Sequence, residues 1–348
     1  MHIQARRIFR LAFTIAISLM LAYAISMPLP FIAPIFAVVL TVKPAPPMGP
    51  KSLLGLLILL MVTLGIGLLL IPLLLHYSFT AILVVALGLY FSFYLTINHG
   101  KVLVGMFLTL GFTLISAAGT VSFDLATTLI ESLATGIAIT VVSLWLVYPL
   151  YPEDHVAADK PADADESTAM QDNWVALRGT IVVLPVYMLL LINPLMYLPI
   201  MMKGVSLAQQ SSTIKANEAG NELLGSTFLG GCFAILFWMA LGTLTNLWMY
   251  FFWMLLFGIY FSSKIYQLIK TRYPASFWVN VVITMLILLG PAVEDSSSGK
   301  DVYTAFFIRI SLMIAVTLYA VAAVYILEYL RSRHIVKRSA QQAMIEST

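Results

Sequence analysis

The sequence predicts an all-α polytopic membrane protein of about twelve transmembrane helices, arranged as two parallel six-helix repeats. Three observations carry that prediction. Hydrophobic residues make up 61% of the 348 and charged residues only 10%, against roughly 25% charged in soluble domains. The stretch Tyr151–Asn173 holds seven acidic residues against one lysine. It cannot bury enough apolar surface to offset its ordering entropy, and it therefore reads as a solvated linker. The flanks also share sequence at an offset of 170 residues: Leu53-Leu54-Gly55 with Leu223-Leu224-Gly225, and Gly88-x-Tyr90-Phe91-Ser92 with Gly258-x-Tyr260-Phe261-Ser262.

The chain divides accordingly into a first membrane repeat at 1–150, the acidic cytoplasmic linker at 151–173, a second repeat at 174–330 and a basic cytoplasmic tail at 331–348. Apolar runs place spans at roughly 8–27, 29–43, 52–75, 79–97, 101–119 and 124–149 in the first half. In the second they fall at roughly 174–192, 194–206, 219–242, 245–265, 274–291 and 301–329. A bilayer core needs about 20 residues of helix. The second and eighth spans are short and broken by proline, in PLPFIAPIF at 28–36 and NPLMYLPI at 193–200; proline removes a backbone donor and kinks a helix. The first span carries a signal-peptidase-like Ala22-Tyr23-Ala24. Cleavage there would leave the first half without a counterpart to the helix after Trp174, so a retained helix is expected.

Basic residues set the orientation. With the N-terminus inside, 17 of the 19 Lys and Arg fall on the cytoplasmic side, among them Arg6, Arg7, Arg10, Lys160, Arg178, Lys203, Lys215, Lys337 and Arg338; Lys300 lies outside and Arg309 within a span. This asymmetry follows the positive-inside rule and places both termini in the cytoplasm. Six spans per half make both copies enter the bilayer in the same sense, related by a pseudo-two-fold axis along the membrane normal.

Two ionisable residues sit within spans, Glu131 in the sixth and Arg309 in the twelfth. A charge near mid-helix costs about 2.5–3.5 kcal/mol on insertion scales, so each is expected to face a partner or water. Two roles stand open. The pair forms a structural ion bridge at one depth, or Arg309 binds a substrate carboxylate while Glu131, with Asp124 at the external end of the same span, takes up protons. The repeated segments add Tyr90, Phe91, Ser92, Tyr260, Phe261 and Ser262, whose aromatic faces and hydroxyls serve either helix packing or a pocket for flat ligands.

Absences narrow the classes. Gly49-Pro50-Lys51-Ser52 carries only the tail of a phosphate-binding loop and lacks its first glycine, which argues against direct ATP use. No paired-histidine spacing points to a metal, and the single Cys232 excludes an internal disulfide. No cofactor and no enzymatic activity are expected.

The two six-span halves, the proline-rich second span and the sixth span TLIESLATGIAITVVSLWLVYPLYP, ending in proline before the connector, resemble the fusaric acid resistance and aromatic acid exporter (FUSC-like) family. That resemblance implies a bacterial inner-membrane exporter of aromatic or amphipathic organic anions, driven by protons and working with a periplasmic membrane-fusion-type adaptor. It also points to a homodimer in the bilayer, with no nucleic acid involved. Larger members of the family carry a sizeable cytoplasmic domain between the halves, where this chain has only the acidic linker. Two other classes remain: a non-transporting membrane scaffold for an envelope assembly, and a lipid or envelope-precursor flippase.

Overall fold

A computed structural model of the chain describes residues 3–43, 45–153, 166–194, 197, 200–201, 203–205, 216–244, 246–299 and 301–346; the side chains it describes exclude 166–172, 216–221, 294, 297 and 334–346. Linker residues 154–165 and Lys160, Lys215 and Lys300 therefore lie outside the described residues, as do the side chains of Glu294, Lys337 and Arg338. The described residues are helices joined by turns.

The first half contains α1 (Ile3–Ala24), α2 (Ile32–Thr41), α3 (Pro50–Leu69), α4 (Ile71–His76), α5 (Ser78–Asn98), α6 (Val102–Leu110), α7 (Ser116–Val121) and α8 (Phe123–Val147). The second contains α9 (Glu166–Ile192), α10 (Ala216–Leu241), α11 (Leu247–Ile265), α12 (Ala275–Ser297) and α13 (Val302–Glu346). Local chemistry explains several ends. Ser26 takes the left-handed conformation (φ 54°). Its N–H meets the Tyr23 carbonyl at 3.0 Å and the Met27 N–H meets that of Ala22 at 3.0 Å, the two closing bonds that satisfy orphan carbonyls at a helix end. Asn246 caps α11 by accepting from the Met249 N–H at 2.7 Å, and Asp301 caps α13 by accepting from the Tyr303 N–H at 3.1 Å.

Among the described residues, nine helical stretches are long and apolar enough to cross a membrane. The architecture is that of a multi-pass membrane protein, but it departs from twelve regular spans. The second expected span is the 10-residue α2, about 15 Å long and too short to cross. Its counterpart is described only in pieces, at Pro194, Tyr197, Ile200–Met201 and Lys203–Val205. Helix α11 has 19 residues and is long enough, but it is not among the nine.

Three further differences have local causes. The expected span 52–75 is two helices, α3 and α4, broken at Leu70 beside Pro72, which has no N–H to continue the ladder. The span 101–119 contains a π-helical turn, Gly111–Ile115, between α6 and α7. Such one-residue-wide bulges leave a hydropathy profile unchanged. Helix α9 begins at Glu166 and α13 runs to Glu346, so helix extends into both the expected linker and the expected tail.

The halves interlock around one contiguous apolar core that draws residues from both. Helix α1 packs along α11, the most extensive helix pair described, while α9 packs along α5. The opening helix of each half thus lies against a helix of the other. Within the second half, α10 packs on α12 and α13; within the first, α3 packs on the α6–π segment.

Candidate functional site

The second half buries a lysine in its interior. Lys203 follows the proline-containing stretch 194–200 of the sequence and has no exposed surface. Its Nζ donates to Asn280 Oδ1 at 2.7 Å and to Thr284 Oγ1 at 2.7 Å. Both partners stand on α12, one turn apart, about 8 and 14 Å from its start at 1.5 Å per residue. The Thr284 hydroxyl donates to the Asn280 carbonyl at 2.6 Å, which turns its oxygen lone pairs toward the amine. Asn280 Nδ2 donates to Ser226 Oγ on α10. Beside it Thr227 and Thr317 place their hydroxyls 3.4 Å apart and link α10 to α13. Lys203, Ser226, Thr227, Asn280, Thr284 and Thr317 are all buried.

The cluster is chemically lopsided. Every oxygen that Lys203 meets is neutral, and no carboxylate of a described residue lies within ion-pair distance of it. A charge removed from water with no opposite charge is among the costliest groups a fold can carry. At the offset of 170 residues the corresponding position of the first half is Ala33, which is also fully buried, so the lysine belongs to the second half alone. Positive-inside counting placed Lys203 on the cytoplasmic side. The structure corrects this: the residue is packed inside, against the middle of a membrane helix. A signal was present in the sequence, since Asn280 and Thr284 at i, i+4 put two polar groups on one face of an apolar run.

Arg309 is already paired. Its Nη1 donates to Asp295 Oδ2 at 2.5 Å, across the α12–α13 hairpin. Glu131 is exposed and lies on α8, which does not pack against α13. The expected Glu131–Arg309 bridge is therefore absent. The reason is that α12 continues through Pro291 to Ser297, which carries Asp295 out of the expected loop and onto the helix beside Arg309. Asp124 is exposed in the first turn of α8, where a carboxylate complements the helix dipole.

The two repeated aromatic segments are not brought together, because α5 and α11 do not pack on one another. Phe91 is 54% exposed whereas Phe261 is 1% exposed. Phe261 packs edge-on to Phe233 at 4.8 Å between ring centroids, and Tyr260 lies 5.7 Å from the same ring. Tyr260 also lines an open cavity of about 250 Å³ with Phe233, Leu256 and Phe257. Tyr90 contacts Tyr94 on its own helix. The hydroxyl of Ser92 returns to the Gly88 carbonyl at 2.7 Å; that of Ser262 is buried with no hydrogen-bond partner among the described residues.

A larger apolar groove, about 400 Å³, runs between α9 and α13 and reaches Tyr197 and Ile200. Ile200 stands three residues before Lys203, about one helical turn away. Among the described side chains no group of three or more His, Cys, Asp or Glu could hold a metal ion.

Residues 7–147 match the model of a family described as "Protein of unknown function (DUF2955)". The match ends at the last residue of α8 and so covers the first half of the chain; the description names neither an activity nor a fusaric acid resistance family. No curated protein and no solved structure matches the chain.

Proposed function

We propose that the chain is a secondary exporter of aromatic or amphipathic organic acids, working in a bacterial inner membrane with both termini cytoplasmic. In this reading it is proton-driven, forms a homodimer and hands its substrate to a periplasmic adaptor of the membrane-fusion type. The observation that carries the reading is the reciprocal crossing of the halves, α1 along α11 and α9 along α5. Two parallel six-helix repeats related by an axis along the membrane normal would make those two contacts as an equivalent pair. Such a pair lets one half rock against the other around a central site. A second correspondence agrees with it. Arg10 near the start of α1 pairs with Glu153 just beyond α8, and Arg178 on α9 pairs with Glu328 on α13.

The test is uptake into inverted proteoliposomes of a labelled aromatic acid such as benzoate, with and without an imposed proton gradient. Gradient-dependent accumulation supports the exporter. Inertness of correctly folded protein toward a panel of aromatic acids rejects it and favours the scaffold. The apolar groove between α9 and α13 specifically favours a flippase as the second reading, because a lipid chain fits such a surface; translocation of labelled phospholipid in the same vesicles would select it.

A further inference from the structure

We infer that Lys203 is the residue that binds the transported anion: its ammonium takes a carboxylate, and Asn280, Thr284 and Ser226 hold it in position. The inference deepens the exporter reading and rests on it for the word transported, but the site itself is argued from the cluster.

An ammonium has three donors. Two are committed, to Asn280 Oδ1 and Thr284 Oγ1 at 2.7 Å each, and no partner among the described residues takes the third. The two partners are themselves fixed, one by its bond to Ser226 and the other by its bond to the Asn280 carbonyl. The head of the lysine is therefore aimed by one amide and one hydroxyl group, with no opposite charge among the described residues beside it. A carboxylate would supply both the missing acceptor and the missing charge, as a charge-assisted bond in a water-poor setting. The groups that Lys203 and Asn280 meet on α10 and α12 are neutral, so no acid among the described side chains competes for the lysine.

Lys203 follows a stretch whose sequence holds Pro194 and Pro199, residues that have no backbone N–H to donate. The apolar groove that reaches Ile200, one turn away, offers a surface for the hydrophobic body of the same ligand. The chemical class is thus a monoanionic carboxylate on an apolar body. It can arrive from water as an aromatic acid or from the bilayer as a fatty acid.

The experiment measures binding of benzoate and of decanoate to the purified full chain in detergent, by calorimetry, with neutral benzamide for comparison. Wild type is expected to bind at least one acid and to prefer benzoate over benzamide if the source is water. Lys203→Met should weaken acid binding roughly 10- to 100-fold, the loss of one charge-assisted hydrogen bond, and leave benzamide unaffected. Asn280→Asp guards against a variant that merely misfolds. It supplies an internal carboxylate beside Lys203, so it should raise the melting temperature and still abolish acid binding. Lys101→Gln, at an exposed position, should change nothing.

Benzoate binding marks the aqueous source, and binding of decanoate alone marks the bilayer; either sustains the site. Failure of wild type to bind either acid, or equal binding by the Asn280→Asp protein, overturns it. Lys203-dependent binding without vesicle transport would leave the site standing and reject the exporter.

Discussion

Arg10 and Glu153 form an ion pair in which both side chains are 1% exposed, with Nη2 and Oε2 2.7 Å apart. Arg7 reinforces it, donating from Nε to Glu153 Oε1 at 2.7 Å, and the Arg10 guanidinium also lies 5.7 Å above the Tyr148 ring. The contact ties the first residues after α8 to the start of α1, so the linker leaves the membrane domain from a fixed point. Burial opposes ionisation of Glu153. The hydrogen bonds from Arg7 and Arg10, and then their charges, outweigh it and hold the carboxyl below its usual value.

Breaking this pair from one side strands a buried charge, which costs about 3–5 kcal/mol. Glu153→Gln or Arg10→Leu should therefore lower the melting temperature and membrane abundance. Their combination should recover most of the loss, since Arg7 is partly exposed and can be hydrated. The pH dependence has a definite sign. A carboxyl whose folded pKa is depressed stabilises the fold at pH above its ordinary value near 4.5 and loses that contribution as pH falls through the folded value. Acid melting should thus be steeper for wild type than for Glu153→Gln. Equal acid sensitivity would show that Glu153 is not ionised in the pair.

The pairing of Arg309 with Asp295 makes a forecast that the Glu131 alternative does not. Asp295→Asn should destabilise by about 1–3 kcal/mol, the usual cost of leaving a partly buried charged donor poorly matched. Glu131→Gln, at an exposed position, should leave the melting temperature unchanged. The charge-reversed double variant, Asp295→Arg with Arg309→Asp, should restore part of the loss. Destabilisation by Glu131→Gln equal to that by Asp295→Asn would reinstate the sequence-based pairing.

Much of the helix inventory was legible because a bilayer demands long apolar runs, and α1, α5, α8 and α13 begin within a few residues of where hydropathy puts them. What hydropathy cannot register is a change of helical pitch, so the π turn at Gly111–Ile115 was missed, whereas the shortness of the second span was read from its prolines. Glu153 was misread because composition describes a segment as a whole, whereas one carboxylate can be captured by two arginines far away in sequence. Lys203 was misread because positive-inside counting uses position along the chain and ignores which way a side chain packs. Arg309 was correctly singled out as costly, but its partner depended on how far α12 extends past Pro291, and helix ends are the least determined feature of a sequence.

The π turn sits where two backbones nearly touch, and that gives a third forecast. A methyl group on Gly67 would come within 2.2 Å of the Gly111 carbonyl oxygen, and one on Gly111 within 2.5 Å of the Thr63 carbonyl oxygen. Neither backbone can yield as a flexible side chain would. Gly67→Ala and Gly111→Ala should each destabilise by about 1–3 kcal/mol through overpacking. Gly55→Ala meets nothing within 4 Å and should be neutral or slightly stabilising in its helix. Thermal melts of the three purified variants decide the matter, and equal melting temperatures would remove the close contact between α3 and the π turn.

The last forecast concerns the crossing of the halves. A β-carbon at Gly258 on α11 would lie 3.3 Å from that of Ala12 on α1, near the separation of about 3.5–4.5 Å that a disulfide spans. Ala12→Cys with Gly258→Cys, in a background where Cys232 is replaced by serine, should oxidise readily within one chain. The band on a denaturing gel should shift in mobility without doubling in mass. A linked dimer would instead mean that α1 crosses to a second copy, and absence of any link would remove the inter-half contact. The same variant probes function. If export requires one half to rock against the other, a bond at this crossing should suppress transport reversibly, with activity returning on reduction. A scaffold has no such cycle, and cross-linking would leave its assembly unaffected. Full transport by the oxidised protein would place the moving parts elsewhere than between α1 and α11.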